Sequence, residues 1–408
     1  MNKINLVILL FISTLFSACE NKKDFNGIVD FAEKQTKFML NEIGNCNGQY
    51  PRSTKDSRLV TTDIYGWTSG FFPGELWLLY ELTGKEYWKN EAEKWTFPLN
   101  KNQFNTKDHD VGFIVNNSFG HGYRLTNNQK YKDIIIQTAN SLIKRYNPII
   151  KSLKSWEGGK AHNDTTIWKF PVIIDNMMNL ELLFNASKIT GNKKYYNIAV
   201  SHANTTIKNH LRPDYSCFHV VDYDTITGNI HDKATAQGFA DNSAWSRGQA
   251  WGIYGFTMVY RETHDIKYLN IAQNMADFYI NHPNLPKDNI PFWDFNANEN
   301  GYNKEWKFDD SIIGYIPRDA SAAAITASAL LELYTYTNNK KYFNFAKETI
   351  KTLSSTQYTS KLKENCGFIL KHSTGSLPHG KEIDVPLIYA DYYYIEAILR
   401  YKAIKNNK

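Results

Sequence analysis

The sequence predicts an all-α fold, a closed (α/α)6 barrel in which helical hairpins form a toroid, and three observations predict it. A junction of common pattern recurs five times, over Leu79–Tyr87, Tyr123–Tyr131, Ser187–Tyr195, Tyr260–Tyr268 and Tyr334–Tyr342. In each copy a Gly, Asn or Asp stops one amphipathic run and a tyrosine begins packing the next. Repeated helix, tight turn, helix is the signature of an array of αα-hairpins. The second observation is a contrast between partners. Runs ahead of the junctions, such as Phe170–Lys188, Gln249–Thr263 and Ala320–Thr337, are apolar and rich in small residues. Runs behind them, such as Lys340–Leu353, carry Lys and Asn faces, which predicts a buried inner ring inside a solvated outer ring. The third is that each chain end supplies one lone helix, Ile28–Asn41 and Tyr389–Ala403. These bring the total to about six hairpins and favour a closed ring over an open solenoid.

Taken in order, the elements begin with an export signal. Lys3 gives a positive start, and Leu6–Phe16 is an uncharged apolar stretch too short for a comfortable membrane span. It ends in Ser17, Ala18 and Cys19, which looks like a bacterial lipobox with Cys19 as the lipidated residue. Residues 1–18 are therefore expected to be a signal peptide, 19–27 a polar tether and 28–408 one domain without a linker. The chain is read as an exported lipoprotein, held to the membrane through Cys19 at the periplasmic face or the cell surface of an outer membrane. Between the hairpins lie long inserts at Pro148–Phe170, Arg212–Arg247 and Asn281–Asp319. Long loops on a regular scaffold are usually where ligand is handled.

Composition narrows the function. The chain has 47 Lys and Arg against 41 Asp and Glu, a net charge of +6 spread along its length, which argues against nucleic acid. Cys46, Cys217 and Cys366 form no CxxC or Cys/His spacing, so neither a metal site nor a disulfide framework is indicated. Aromatics are abundant, with 10 Trp, 26 Tyr and 23 Phe. That balance suits carbohydrate, whose apolar face stacks on flat rings while its rim takes hydrogen bonds.

The residues able to carry chemistry sit in the inserts and at the starts of the inner helices. Asp175 is flanked by Ile173, Ile174, Met177 and Met178. A carboxyl in such surroundings loses hydration, which raises its pKa and keeps it protonated near neutrality, as a general acid requires. The competing role is that of an aspartate near a helix start bonding backbone amides. Asp110 lies beside His109, just ahead of a helix expected over Ile114–Arg124, and faces the same competition as an N-cap. Two carboxyls opening consecutive inner helices of a toroid point into one cavity, which predicts an acid/base pair. In Gln237–Trp251, the residues Trp245, Arg247, Gln249 and Trp251 alternate ahead of an apolar helix. Aromatic faces flanking a guanidinium suit stacking of a sugar ring and forked binding of its carboxylate. Trp67, in a glycine-rich turn, is available to stack, and His219 is a candidate polar contact.

Five segments together resemble the unsaturated glucuronyl hydrolases, glycoside hydrolase family 88. They are Trp67–Phe71, His109–Phe113, Ile174–Asn179, Gln237–Trp251 and Glu382–Asp391, and the resemblance covers nearly the whole mature chain. It implies an (α/α)6 catalytic domain that needs no cofactor. The implied substrate is an acidic oligosaccharide left by a polysaccharide lyase, with a 4,5-unsaturated glucuronyl residue at its non-reducing end. The residue matching Asp175 protonates C4 and helps activate water for attack at C5, and the resulting hemiketal opens to release the glycan. The residue matching Asp110 holds the sugar and tunes its partner. The resemblance also implies stacking by Trp67, Trp245 and Trp251, and polar contacts from His109, His219, Gln237 and Arg247. Trp156, with Trp168 as a rival, matches a further sugar-contacting tryptophan, and Thr235 is carried over from the loop before Gln237.

Some members bind a sulfate with a serine-rich turn followed by a lysine. Here that turn keeps Ser373 and Ser376 but has Leu377 and Pro378 where a cation is expected, with Lys381 beyond. The candidate substrates are glycosaminoglycan fragments and ulvan oligosaccharides, the latter favoured by the Asn- and Lys-rich composition. Competing readings are a surface glycan-binding lipoprotein without catalysis, a related unsaturated rhamnogalacturonyl hydrolase, and a lyase.

Overall fold

The computed structural model describes residues 25–406; Cys19 and the rest of the expected signal lie outside the described residues. The helices are α1 (Phe25–Ile43), α2 (Phe71–Thr83), α3 (Glu86–Thr96), α4 (Val111–Val115), α5 (His121–Thr126) and α6 (Gln129–Leu142). They continue with α7 (Asn176–Thr190), α8 (Lys193–His210), α9 (Ser246–Thr263), α10 (Ile266–Asn281), α11 (Ala320–Thr337), α12 (Lys340–Leu353) and α13 (Ile388–Asn406).

The five junctions owe their sharpness to one local device. A threonine at the end of the first helix (Thr83, Thr126, Thr190, Thr263, Thr337) turns its hydroxyl back onto the carbonyl four residues earlier, at 2.6–3.0 Å. The next residue is left-handed in every case: Gly84, Asn127, Gly191, His264 and Asn338, with φ between 52° and 71°. That conformation ends a helix by giving its last carbonyls a partner. In four of the five, an Asn or Asp then caps the following helix, as Asn128, Asn192, Asp265 and Asn339 do by accepting from a backbone N–H two residues on. Two caps placed back to back reverse the chain within about two residues.

Reversal by reversal, the chain runs inward then outward. Helices α2, α4 with α5, α7, α9 and α11 form successive inner positions, and α13 packs against both α11 and α2 to close the ring. Their burial explains the composition read from sequence: every residue of α11 from Ala320 to Tyr334 is buried. Small side chains there let neighbours approach on both sides. The outer helices bury one face only, and α1 joins them, with Glu33 accepting from the Trp88 indole and Thr36 donating to Glu75. Among the described residues no helix is long and apolar enough to cross a membrane.

Two expectations about boundaries need correction. The run Phe170–Lys188 does not start as helix, because Pro171–Ile173 is a strand paired antiparallel with Val220–Tyr223, which in turn pairs with Ile230–Ala234. The helix foreseen over Ile114–Arg124 starts earlier, at Val111, and carries a π turn at Asn116–Gly120 before α5. A hairpin of Gln49–Lys55 with Arg58–Asp63 also lies outside the all-helical expectation. These strands decorate the connections, and the ring itself is helical.

Candidate active site

Because every hairpin runs inner helix to outer helix, the inner helices are parallel and deliver their N-termini to one end of the ring. Trp67 precedes α2, Asp110 precedes α4 and Asp175 precedes α7. Trp245 to Arg247 open α9, Asp319 precedes α11, and Tyr389 lies in the first turn of α13. Helix N-termini carry partial positive charge and unpaired N–H groups, so an end collecting six of them favours an anion.

Asp110 and Asp175 both occupy N-cap positions, yet neither side chain makes a capping hydrogen bond. The structural role that competed for them is therefore not the one they fill. The Asp175 carboxyl is 13% exposed and its Oδ2 is buried without a hydrogen-bond partner. Burial pushes its pKa up to about 7, against the opposing pull of the Arg247 charge and of the Trp251 indole N–H nearby. Asp110 is raised well above the usual carboxylate range, by burial first and then by the charges of Asp108 and Asp175. Burial thus raises both carboxyls, and the Asp175 charge adds to the rise at Asp110. Near neutrality this pair retains a proton, so the site holds an acid rather than two carboxylates.

Each aspartate has a histidine beside it. His219 Nδ1 accepts from the backbone N–H groups of Ala236 and Gln237 at 3.1 and 3.2 Å. Its proton is thereby assigned to Nε2, which lies 3.7 Å from Asp175 Oδ2. His109 is wholly buried, with Nε2 3.4 Å from Asp110 Oδ1. Burial lowers the pKa of both rings, His109 to about 3, so both are neutral N–H donors.

The aromatic residues divide into two groups. Trp67 and Trp156 are half-buried and keep ring surface open. Of the rivals, Trp168 is buried, with its indole N–H bonded to Asp232 at 2.8 Å, which leaves Trp156 as the ring able to meet a ligand. Trp251 is fully buried and packs against Phe113 and Tyr393, so the stacking expected of it is not available. It contributes instead an indole N–H without a partner, close to Asp175. Trp245 is 3% exposed, lying against the His219 ring at 4.5 Å with the Arg247 guanidinium 4.6 Å from its own ring.

Arg247 differs most from expectation. Its fork is occupied by the protein: Nη1 donates to Asp319 Oδ2 and to the Thr374 carbonyl, both at 2.6 Å, and Nη2 donates to the Gly375 carbonyl at 2.5 Å. A forked pair to a substrate carboxylate is not open in this arrangement, and Arg247 serves to clamp the 372–379 turn onto α9. Gln237 reaches the same turn, donating to the Gly375 carbonyl at 2.9 Å. Ser373 is buried with a hydroxyl that has no partner, and Ser376 is paired with His379. Thr235 accepts from the Gly238 N–H at 2.7 Å and shapes its own loop. Gln249, from the alternating set, bonds the carbonyls of Tyr215 and Met275 and is structural.

Sequence reasoning assigned no role to Asp319 or Asn179, and it read the Ser373 turn without its anchoring by Arg247 and Gln237. Asp319 carried a signal, standing directly ahead of an apolar run, but as an ordinary N-cap. Among the described residues no group of three His, Cys, Asp or Glu side chains is placed to hold a metal. A cavity of about 540 Å³ lies at the opposite end of the ring, lined among others by Arg124, Glu181, Arg261, Glu396 and Arg400, and it contains none of these candidate residues.

Comparison with known proteins agrees with this geometry. Residues 42–262 match the profile of Glycosyl Hydrolase Family 88. An unsaturated glucuronyl hydrolase of Formosa agariphila is 48% identical over 406 residues, 97% of each chain. An unsaturated chondroitin disaccharide hydrolase of Streptococcus pneumoniae is 31% identical over 359 residues, 86% of this chain and 85% of the relative. The crystal structure of an unsaturated glucuronyl hydrolase specific for heparin superposes with a TM-score of 0.84 at 43% identity, covering 92% of this chain and 98% of that one. The ring of paired helices, the acid at its N-terminal end and these likenesses lead to one conclusion: the chain belongs to glycosyl hydrolase family 88.

Proposed function

We propose that this glycosidase removes a 4,5-unsaturated glucuronyl residue from the non-reducing end of oligosaccharides released by a polysaccharide lyase. The observation that carries the reading is Asp175, a carboxyl kept protonated to about pH 7 by burial, with Oδ2 lacking any protein partner. In the proposed reaction Asp175 gives its proton to C4 of the enol ether, leaving positive charge shared between C5 and the ring oxygen. Water adds at C5 as the Asp175 carboxylate takes back a proton from it, which restores the acid. The hemiketal at C5 then opens to a ketone, and the new hemiacetal at C1 collapses to an aldehyde and frees the remaining glycan as an alcohol. Asp110, itself raised by burial and by the neighbouring Asp108 and Asp175 charges, holds the sugar hydroxyls. Trp67 and Trp156 supply the open ring faces, and the converging helix N-termini suit the uronate carboxylate.

The substrates named for the similar proteins are a chondroitin disaccharide and heparin. For this chain the proposed set is glycosaminoglycan fragments and ulvan oligosaccharides. Within that set, weakly sulfated sugars are favoured. In the 372–379 turn Leu377 and Pro378 are buried where a cation would be needed, and the Ser376 hydroxyl is taken by His379. The domain plan proposed is a signal over 1–18, a tether over 19–27 and a catalytic domain over 28–408, with Cys19 lipidated and the enzyme on the periplasmic or outer face of the cell envelope. Cys19→Ser is expected to move the protein from membranes to the soluble fraction; retention in membranes would remove the anchor.

The test of the reaction follows ultraviolet absorbance of lyase-generated disaccharides from chondroitin, heparin and ulvan. Loss of the enol-ether band with wild type, and none with Asp175→Asn, is the expected result. Binding without decay on any of the three would end the catalytic reading, and a rising band would indicate a lyase.

A further inference from the structure

Asn179 lies four residues after Asp175 on α7, one helical turn along the same face, and is wholly buried. Its Oδ1 accepts from the Phe113 backbone N–H at 2.8 Å, so its side-chain orientation is fixed by a donor that cannot reverse. Its Nδ2 is therefore the atom 3.3 Å from His109 Nδ1. An amide nitrogen only donates, so Nδ1 is the accepting nitrogen of the ring and the proton belongs on Nε2. That nitrogen is 3.4 Å from Asp110 Oδ1. The contact is enforced by Gly112, where a Cβ would come within 2.4–2.7 Å of Asn179 atoms. One amide thus bridges the two helices that carry the two aspartates.

We infer that Asn179 is a positioning residue of the reaction: it holds His109 in the tautomer whose Nε2–H faces Asp110 and sets α4 against α7. The groups facing His109 are Asp110 beside it, Arg145 after α6, His202 on α8 and the uncharged Asn176 at the start of α7. The donor that the structure shows at Nδ1 is the Asn179 amide. Asn179→Asp keeps the shape and the bond from Phe113 while turning the donor to His109 into an acceptor. The ring must then carry its proton on Nδ1, or on both nitrogens, and in the first case it points a lone pair at Asp110.

The kinetic part of this inference rests on the proposed reaction; the part about the ring does not. The experiment records ring nitrogen chemical shifts of 15N-histidine-labelled protein, with His109→Gln to assign the signal, beside kcat and KM for wild type and Asn179→Asp. Expected are a neutral Nε2–H ring in wild type and an Nδ1–H or doubly protonated ring in the variant. With them should come a kcat lowered about 10- to 100-fold, as for other groups that orient a catalytic side chain, and a KM nearly unchanged. A wild-type ring protonated on Nδ1 overturns the inference without any variant. A changed ring with unchanged kcat, or a lowered kcat with an unchanged ring, overturns it as well. If wild type leaves every unsaturated uronate intact, the proposed reaction falls while the ring measurement still decides where the His109 proton lies.

Discussion

At the N-terminal end of the inner ring, Asp175 Oδ2, His109 Nε2, His219 Nε2 and Trp251 Nε1 are all buried and lack hydrogen-bond partners. At the C-terminal end the polar groups are of similar kinds and are closely paired. Arg261 reaches Glu181, Glu262 and Glu332, Arg400 reaches Glu396, Glu332 and the Tyr254 hydroxyl, and Arg124 grips Glu81. Buried polar groups in native proteins are nearly always satisfied, so a cluster of unsatisfied ones requires a reason. Here the reason is chemistry at one end and cohesion at the other. The charged cavity at the C-terminal end is spent on holding helices together, while the proposed acid sits where partners are withheld.

The largest expected effect breaks that contrast at its source. Asp175→Asn should lower kcat about 10²- to 10⁴-fold, the range for loss of a general acid. Thermal unfolding should show stability unchanged or raised, because a carboxyl held out of water is replaced by a neutral amide. The next prediction inverts the pattern. Arg261→Met leaves Glu181 without its guanidinium partner and Glu332 with Arg400 alone, and should lower stability by about 3 kcal/mol, read by denaturant unfolding, with kcat/KM unchanged. A loss of activity without a loss of stability would show that the two ends are not separate in role.

A finer comparison sets Trp156 against Trp168, whose rings lie 6.2 Å apart. Trp156→Ala should raise KM about 3- to 10-fold, the scale of one stacking contact, and leave the melting temperature nearly unchanged. Trp168→Ala should act mainly on stability, by about 3 kcal/mol, because its ring is buried and its N–H is bonded to Asp232. Steady-state kinetics and calorimetry on the two variants separate the roles.

Much of the ring was legible because its determinants are local. The threonine, the left-handed residue and the capping Asn or Asp of each junction are neighbours in sequence, and each acts on backbone within about four residues. Asp175 was legible for a related reason: Ile174, Met177 and Met178 announce its burial from adjacent positions. What stayed hidden depends on contacts between distant segments. Arg247 reads as a free fork until Asp319 and the Thr374 and Gly375 carbonyls arrive from 72 to 128 residues away. Trp251 reads as a stacking platform until Phe113 and Tyr393 close over it. Pro171–Ile173 reads as the start of α7 because a three-residue strand is too short to show alternation, and only Val220–Tyr223 makes it one.

The most direct test of the central claim, that Asp175 is the protonated acid of the site, is the pH dependence of kcat for wild type on a lyase-generated unsaturated disaccharide. The reactive form is the acid, so rate is present below its pKa and lost as pH rises through it. The prediction is a plateau on the acid side and a fall of about tenfold per pH unit above a midpoint near the value of about 7 that burial imposes. A rate that stays level through the alkaline limb, or that falls only toward acid, would contradict it.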